Sequence, residues 1–185
     1  MDILAHGLWS GIIAKTANKH GLNKKPLKIR RFIFWSIFPD IFTFTFIFVW
    51  FFGSILLGYG TLANLPHYQI TEPMPQNTYF VLQITHWLYN FSHSLVIFLA
   101  VFAVASLKKK GAPWVMTGWL THILIDIPTH SYAHFPTPFL WPLSNWKFDG
   151  ISWSNPWFGI VNYALIILVY FWLYRRWLHK KEKKV

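Results

Sequence analysis

The chain contains no cysteine. Disulfide bonds and metal sites built from thiolates are therefore excluded, while the redox state of the compartment stays open. If the chain holds a metal ion, its ligands have to be nitrogen and oxygen atoms of histidine and acidic side chains.

Charged residues are also scarce: they make up 12% of the chain, whereas hydrophobic residues make up 54% and aromatic residues 21%. This composition is too apolar for a soluble domain of 185 residues, and it predicts a protein whose solvent is a lipid bilayer. A basic n-region is lacking as well, since Asp2 stands near the start, and we expect no cleavable signal peptide.

Negative charge is the scarcer sign, with six Asp and Glu against 17 Lys and Arg and a net charge of +11. The basic residues form short blocks at the ends of apolar runs, at 19–31, 108–110 and 175–184. Cytoplasmic flanks of membrane helices carry such blocks, so the charge indicates topology, and we expect no binding to nucleic acid. Residues 58–77 contain no Lys or Arg and predict a loop on the opposite side.

Four apolar runs predict membrane helices, at residues 32–57, 78–107, 113–128 and 157–172. A further, shorter helix is predicted over residues 1–18. The expected fold class is all-α: a polytopic integral membrane bundle of four to five membrane helices. The Trp-rich and Pro-rich residues 129–156 predict a partly helical loop at the outer interface.

These segments predict one membrane-embedded domain over residues 1–185, with a basic cytoplasmic tail at residues 175–185. We expect the protein in the plasma (inner) membrane, with its basic loops and tail in the cytoplasm.

The stretch GWLTHILIDIPTH places His122 and Asp126 one helical turn apart in an apolar segment. An imidazole and a carboxylate on one helix face are typical of two metal ligands, although such a pair also forms simple hydrogen bonds between buried groups. Asp40 follows Pro39 inside a predicted membrane helix, where an ionisable residue needs a partner, a metal ion or a wet cavity.

Two further histidines lie in apolar segments. His93 lies near the centre of its predicted helix, and His6 lies in the N-terminal helix. His86 is nearer the outer end of the same helix as His93, so we expect it to be a poorer ligand. Asn90 and Ser94 flank His93, and we expect them to orient its ring.

Together these residues predict a site for a divalent metal, with zinc favoured and iron or manganese as alternatives. The expected ligands are His6, Asp40, His93, His122 and Asp126. Five ligands suffice for one saturated ion or for two ions that share a carboxylate. Asp40 or Asp126 is also a candidate general base, and His130 a candidate catalytic residue that stabilises an anionic headgroup or leaving group.

Four short motifs follow one another along the chain: DILAHGLWSG at the N-terminus, the PD of residues 39–40, THWLYNFSHSL around His93, and HILIDIPTH followed by TPFLWPLS. In these motifs the chain resembles the YdjM-like family of membrane-bound metal-dependent hydrolases, also described as LexA-binding, inner-membrane-associated proteins. It is similar, too, to proteins described as relatives of zinc-dependent phospholipase C.

The resemblance implies a hydrolase whose metal site is formed by the five expected ligands. The chain departs from the family pattern ahead of His93, where Leu88 and Tyr89 stand in place of the His-Arg of many members. A basic anchor for phosphate is then missing, and we expect His130 to compensate for it.

We therefore expect a membrane-embedded hydrolase of an ester or phosphoester in a lipid or lipid-like amphiphile, with membrane lipids as its partners and its site near the outer leaflet. Two alternatives stay open. One is a non-enzymatic membrane protein that binds or transports a divalent ion. The other is a structural adaptor in which the His and Asp residues only hold helices together.

Overall fold

The computed structural model describes the backbone of residues 1–22, 25–60 and 80–182, and six α-helices occur there. They are α1 (Ile3–Lys19), α2 (Ile29–Leu56), α3 (Phe80–Ser92), α4 (Leu95–Lys108), α5 (Thr117–Thr129) and α6 (Pro156–Glu182). A short 3-10 turn leads into α5. The described residues contain no β-strand, so the expected all-α class is confirmed for them. Most of the loop predicted at residues 58–77 lies outside these ranges.

Within the part of the chain that the structure describes, two helices are long and apolar enough to cross a membrane: α2 over its whole length, and α6 over Pro156–Arg176. Both expose large apolar side chains, such as Val49 and Leu56 on α2 and Ile167 on α6, as expected for surfaces that face lipid. The described residues thus show two candidate spans, or up to three, and the four to five predicted membrane helices stay a prediction. With 17 and 13 residues, α1 and α5 are about 25 and 20 Å long, short of an apolar core of about 30 Å.

The run expected to form one helix over residues 78–107 is broken. Its two parts, α3 and α4, are bent by 60° at the break, and they count as a third span only when taken together. The break has a local cause: Ser94 is the N-cap of α4 and accepts a hydrogen bond from the Ile97 amide at 3.2 Å. The Leu95 amide donates outside the helix, to the Phe139 carbonyl. His93 thus lies between two helix ends instead of in mid-helix.

Helix α2 lies at the centre of the bundle and packs against α1, α3 and α5, whereas α6 packs against α1. The contact with α5 is a close approach of two backbones at Gly118. A Cβ atom there would lie 2.2 Å from the Phe32 carbonyl oxygen and 3.0 Å from the Ser36 amide nitrogen. Only glycine permits this distance. The close approach brings the next turn of α5, which carries His122, against α2.

Residues 130–155 contain turns and an isolated bridge between Ser131 and His134, and no helix. The expectation of a partly helical loop was therefore wrong. The segment instead pairs with the end of α5, because the amides of Gly150 and Ile151 donate to the carbonyls of His130 and Pro128 at 2.8 and 3.0 Å. Backbone hydrogen bonds with a neighbouring element satisfy these groups without a helix.

Substitution of Gly118 by alanine tests the close approach of α5 to α2. We expect a loss of roughly 1–3 kcal/mol of stability, because rigid backbone atoms must move to admit the methyl group. Thermal unfolding in detergent measures the effect. Gly159→Ala in α6 is the matched control, since a Cβ atom there meets nothing within 4 Å. Equal unfolding temperatures for the two variants would contradict this account of the helix contact.

Candidate metal centre

Four buried side chains with metal-ligand chemistry meet at the centre of the bundle: Asp40, His93, His122 and Asp126. One donor atom from each lies within 4.8 Å of all the others, so this group could hold a metal ion. Asp40 comes from α2, His93 from the break between α3 and α4, and the other two from α5.

The separations of the donor atoms suit a single ion. The Nε2 atoms of His93 and His122 lie 3.1 Å apart, and Asp40 Oδ1 lies 3.5 and 3.6 Å from them. Asp126 Oδ2 lies 3.0 Å from His122 Nε2 and 3.6 Å from His93 Nε2. Ligands placed tetrahedrally at zinc–nitrogen distances are about 3.3 Å apart, so small shifts would bring all four atoms into coordination.

Hydrogen bonds to backbone carbonyls fix which nitrogen of each ring faces the group. His122 Nδ1 lies 2.6 Å from the Ser36 carbonyl oxygen, and His93 Nδ1 lies 3.2 Å from the Tyr89 carbonyl oxygen. A carbonyl oxygen only accepts, so each Nδ1 carries the hydrogen and donates it. Each Nε2 therefore presents a lone pair to the other ligands, the arrangement that holds metal-binding imidazoles.

The carboxylates also need a cation. Asp126 Oδ2 is buried and has no hydrogen-bond partner, although His122 and His93 lie close to it. The two buried carboxylates carry a charge of −2, and the Met1 amino group beside Asp126 Oδ1 offsets at most one unit of it. A divalent ion among the four donor atoms would neutralise the rest. The donor set of two imidazoles and two carboxylates is one that zinc, iron and manganese accept. The residues present therefore fit the predicted metal, while its identity is still a prediction.

The remaining predicted residues, His6 and His130, lie against the other oxygen of the same carboxylate. His6 Nε2 lies 2.8 Å from Asp126 Oδ1, and His130 Nε2 lies 3.3 Å from it. The amino nitrogen of Met1 lies 2.5 Å from Asp126 Oδ1 and 2.6 Å from His130 Nε2. All the residues predicted for the site thus lie together, on two sides of Asp126.

The residues that orient His93 are not the expected ones. Ser94 caps α4 and donates to the Trp141 carbonyl, and Asn90 contacts His86 at 3.5 Å. The ring of His93 instead contacts Ser92 Oγ at 2.9 Å and packs against Tyr89, with ring centroids 3.9 Å apart. Sequence spacing could not show this, because the helix break changes which neighbours face the ring.

Tyr89 is buried and reaches both sides of the site. Its hydroxyl group donates to the Phe135 carbonyl at 2.8 Å and lies 3.2 Å from His130 Nδ1. Its ring packs on His93, so one side chain contacts a ligand of the four-residue group and a residue on the opposite side of Asp126. The sequence marked this position only as a departure from a family pattern.

A cavity of about 460 Å³ adjoins the site. Its polar end is lined by Met1, Asp2, Asp40 and His130. Most of its other walls are apolar or aromatic side chains of α2 and the loop after α5: Ile41, Phe44, Ile47, Phe48, Phe51, Phe135 and Trp153. The lining of α2 runs from Asp40 to Phe51, which is about 17 Å along the helix axis. The cavity thus offers a long apolar space that ends at a carboxylate and an imidazole.

Comparison of the chain with models of protein families, with curated proteins and with solved structures finds no match. The resemblance to the YdjM-like hydrolases therefore stays a prediction from the motifs.

Removal of a ligand should remove the metal. We expect purified wild-type protein to carry a divalent metal, and His122→Ala to lose at least one ion per chain, because its Nε2 lies within 3.1 Å of two other donor atoms. Elemental analysis of monodisperse protein in detergent measures this. His20→Ala is the control, since His20 is exposed at the end of α1. Metal-free wild-type protein after reconstitution would reject the site and favour a structural role for the His and Asp residues.

Proposed function

We propose that the protein is a membrane-embedded, metal-dependent hydrolase that cleaves an ester or phosphoester bond in a lipid or lipid-like amphiphile. One observation carries the proposal: the buried group of metal-ligand side chains lies beside an apolar cavity, and Asp40 belongs to both. A purely structural set of His and Asp residues needs no such cavity.

The cavity fits an amphiphile better than a small polar substrate. Its long wall is formed by aromatic and aliphatic side chains, which favour an acyl or polyprenyl chain. Its polar end holds Asp40 and His130, against which the headgroup would lie. The scissile bond of such a substrate is next to its headgroup, and so next to the metal ligands.

The positions of the basic residues and the length of α2 support a proposal for the placement in the membrane. We propose that the basic blocks face the cytoplasm of a plasma (inner) membrane, with the N-terminal end of α2 on that side. Asp40 lies about 17 Å from the start of α2 and about 24 Å from its end, which places it at mid-depth. The cavity extends from Asp40 towards the other end of α2, so lipids of the outer leaflet would enter it.

A divalent ion at the four-residue group would polarise the oxygen of the bond to be cleaved and activate water for attack. The chain itself positions the reactants. Asp40 is buried but lies in the cavity wall, so its carboxylate can accept the proton of the attacking water. The apolar walls exclude other water, and His130 lies in the cavity wall, where the headgroup would contact it.

The motifs support the same conclusion, since they resemble a family of membrane-bound metal-dependent hydrolases. We propose that this chain is a member. The helix break at His93 lies inside one of those motifs, and the close approach at Gly118 lies four residues before another. Both features place motif residues at the centre.

Conversion of Asp40 to asparagine tests the catalysis. We expect hydrolysis to fall by roughly 100-fold or more, because the neutral amide cannot accept the proton and binds a divalent ion more weakly than the carboxylate does. The assay follows release of phosphate or fatty acid from mixed micelles of phosphatidylglycerol and phosphatidylethanolamine, and from a polyprenyl phosphate. Asp149→Asn is the control, as Asp149 is exposed and accepts a hydrogen bond from the Tyr132 amide. Metal-loaded wild-type protein that turns over none of these substrates would favour the non-enzymatic alternative, binding or transport of a divalent ion.

Substitution of Phe48 by tryptophan tests the role of the cavity. Phe48 lines it about two helical turns from Asp40, so a larger ring should block long chains and spare short ones. We expect the KM for long-chain substrates to rise several-fold, with little change for short-chain analogues. Phe46→Trp is the matched control, because Phe46 is exposed on α2 and does not line the cavity. The same effect in both variants, or none in either, would show that the cavity does not hold the chain of the substrate.

A further inference from the structure

The two oxygen atoms of Asp126 face different sets of ligands. Oδ2 faces the Nε2 atoms of His93 and His122, and it belongs with them to the group that could hold a metal ion. Oδ1 faces His6 and His130. Neither of these two histidines belongs to the group whose donor atoms all lie within 4.8 Å of one another, so a single ion in that group would not be bound by either of them.

We propose that Asp126 bridges two divalent cations, and that the second cation is held by Asp126 Oδ1, His6 Nε2 and His130 Nε2. This site rests on the proposed metal centre and adds a second ion to it. It gives His130 the role of a ligand at the cavity wall.

The separations from Asp126 Oδ1 to the two histidines suit a metal ion. Asp126 Oδ1 lies 2.8 Å from His6 Nε2 and 3.3 Å from His130 Nε2, close to the separation of about 3.3 Å between tetrahedral ligands of zinc. Three protein ligands with an open position are typical of a catalytic ion. The open position here would face the cavity, because His130 lines it.

The ring of His130 is held as a metal ligand requires. Its Nδ1 lies 2.5 Å from the Phe135 carbonyl oxygen, to which it must donate its hydrogen. Its Nε2 therefore presents a lone pair on the side of Asp126, where the Met1 amino nitrogen lies 2.6 Å from it. The Tyr89 hydroxyl supports the same side of the ring at 3.2 Å. Three histidines at this centre thus have Nδ1 bound to a backbone carbonyl and Nε2 turned inward.

The stacking of His6 on His122 would set the distance between two ions bound at their Nε2 atoms. The ring centroids lie 3.8 Å apart at an angle of 25°, and the Nε2 atoms approach different oxygens of Asp126. Two nearly parallel imidazoles that each bind one ion hold those ions at about the ring separation. Two-metal hydrolytic sites have ions about 3.5–4 Å apart, so the stack matches them.

A positive group already lies at this place. The amino nitrogen of Met1 is 2.5 Å from Asp126 Oδ1 and 2.6 Å from His130 Nε2. Two atoms that accept a cationic nitrogen at these distances also suit a metal cation, which would compete with it. The alternative that the experiment has to exclude is that the Met1 amino group occupies this position and no second ion binds.

Metal stoichiometry in the full chain tests the proposal. Wild-type protein reconstituted with Mn²⁺ should hold two ions per chain, and His130→Ala should hold one. His20→Ala, which changes an exposed histidine, should keep both. A single ion in the wild type that His130→Ala retains would overturn the proposal, whether the ammonium group or nothing occupies the second place.

Electron paramagnetic resonance of the wild type gives a second measurement that needs no variant to fold. Two Mn²⁺ ions bridged by Asp126 should give the signal of an exchange-coupled pair, and His130→Ala should give that of isolated Mn²⁺. An isolated signal from fully loaded wild type would overturn the bridge. Hydrolysis by protein that binds only one ion would reject the second metal site but support the proposed function. Two coupled ions in protein that hydrolyses no substrate would support the second metal site but reject the proposed function.

Discussion

The centre of this protein depends on one buried carboxylate. Asp126 is 1% exposed and lies within about 3.6 Å of four imidazoles from three parts of the chain. A desolvated carboxylate costs several kcal/mol unless cations or donors surround it. The helices that carry those imidazoles must therefore pack around Asp126.

Helix α2 makes that meeting possible, because it packs against α1, α3 and α5 at once. Its contact with α5 is close enough that the Ser36 carbonyl accepts from His122. Small polar side chains fill the remaining contacts: Ser10 donates to Ser36, and Thr43 Oγ1 lies 2.7 Å from Ser92 Oγ. Hydroxyl groups in an apolar bundle join helices while they satisfy one another. The interior is consequently polar around Asp126 and apolar towards the cavity, and this contrast suits a headgroup and its chain.

The residues of the centre were predictable because the bilayer penalises them. Histidine and aspartate in apolar segments need partners, so His6, Asp40, His93, His122 and Asp126 stand out from the amino-acid sequence alone. The helical class follows in the same way from the length of the apolar runs. The bounds of the helices were less predictable where a capping residue or a proline-rich segment interrupts an apolar run. The apolar run around His93 reads as one helix, yet Ser94 caps a new one there, and the Trp-rich segment after α5 forms turns.

The sequence by itself determined the helical class, the apolar surface and the kinds of ligand, because composition and the spacing of buried polar residues are local properties of the chain. The tertiary structure decided how those ligands divide between the two oxygens of Asp126, which nitrogen each imidazole presents, and that Tyr89 reaches both sides. It also decided that the centre lies beside an apolar cavity. These properties arise from contacts between residues far apart in sequence. Their distances depend on how closely helices approach, and a single glycine at position 118 sets that approach.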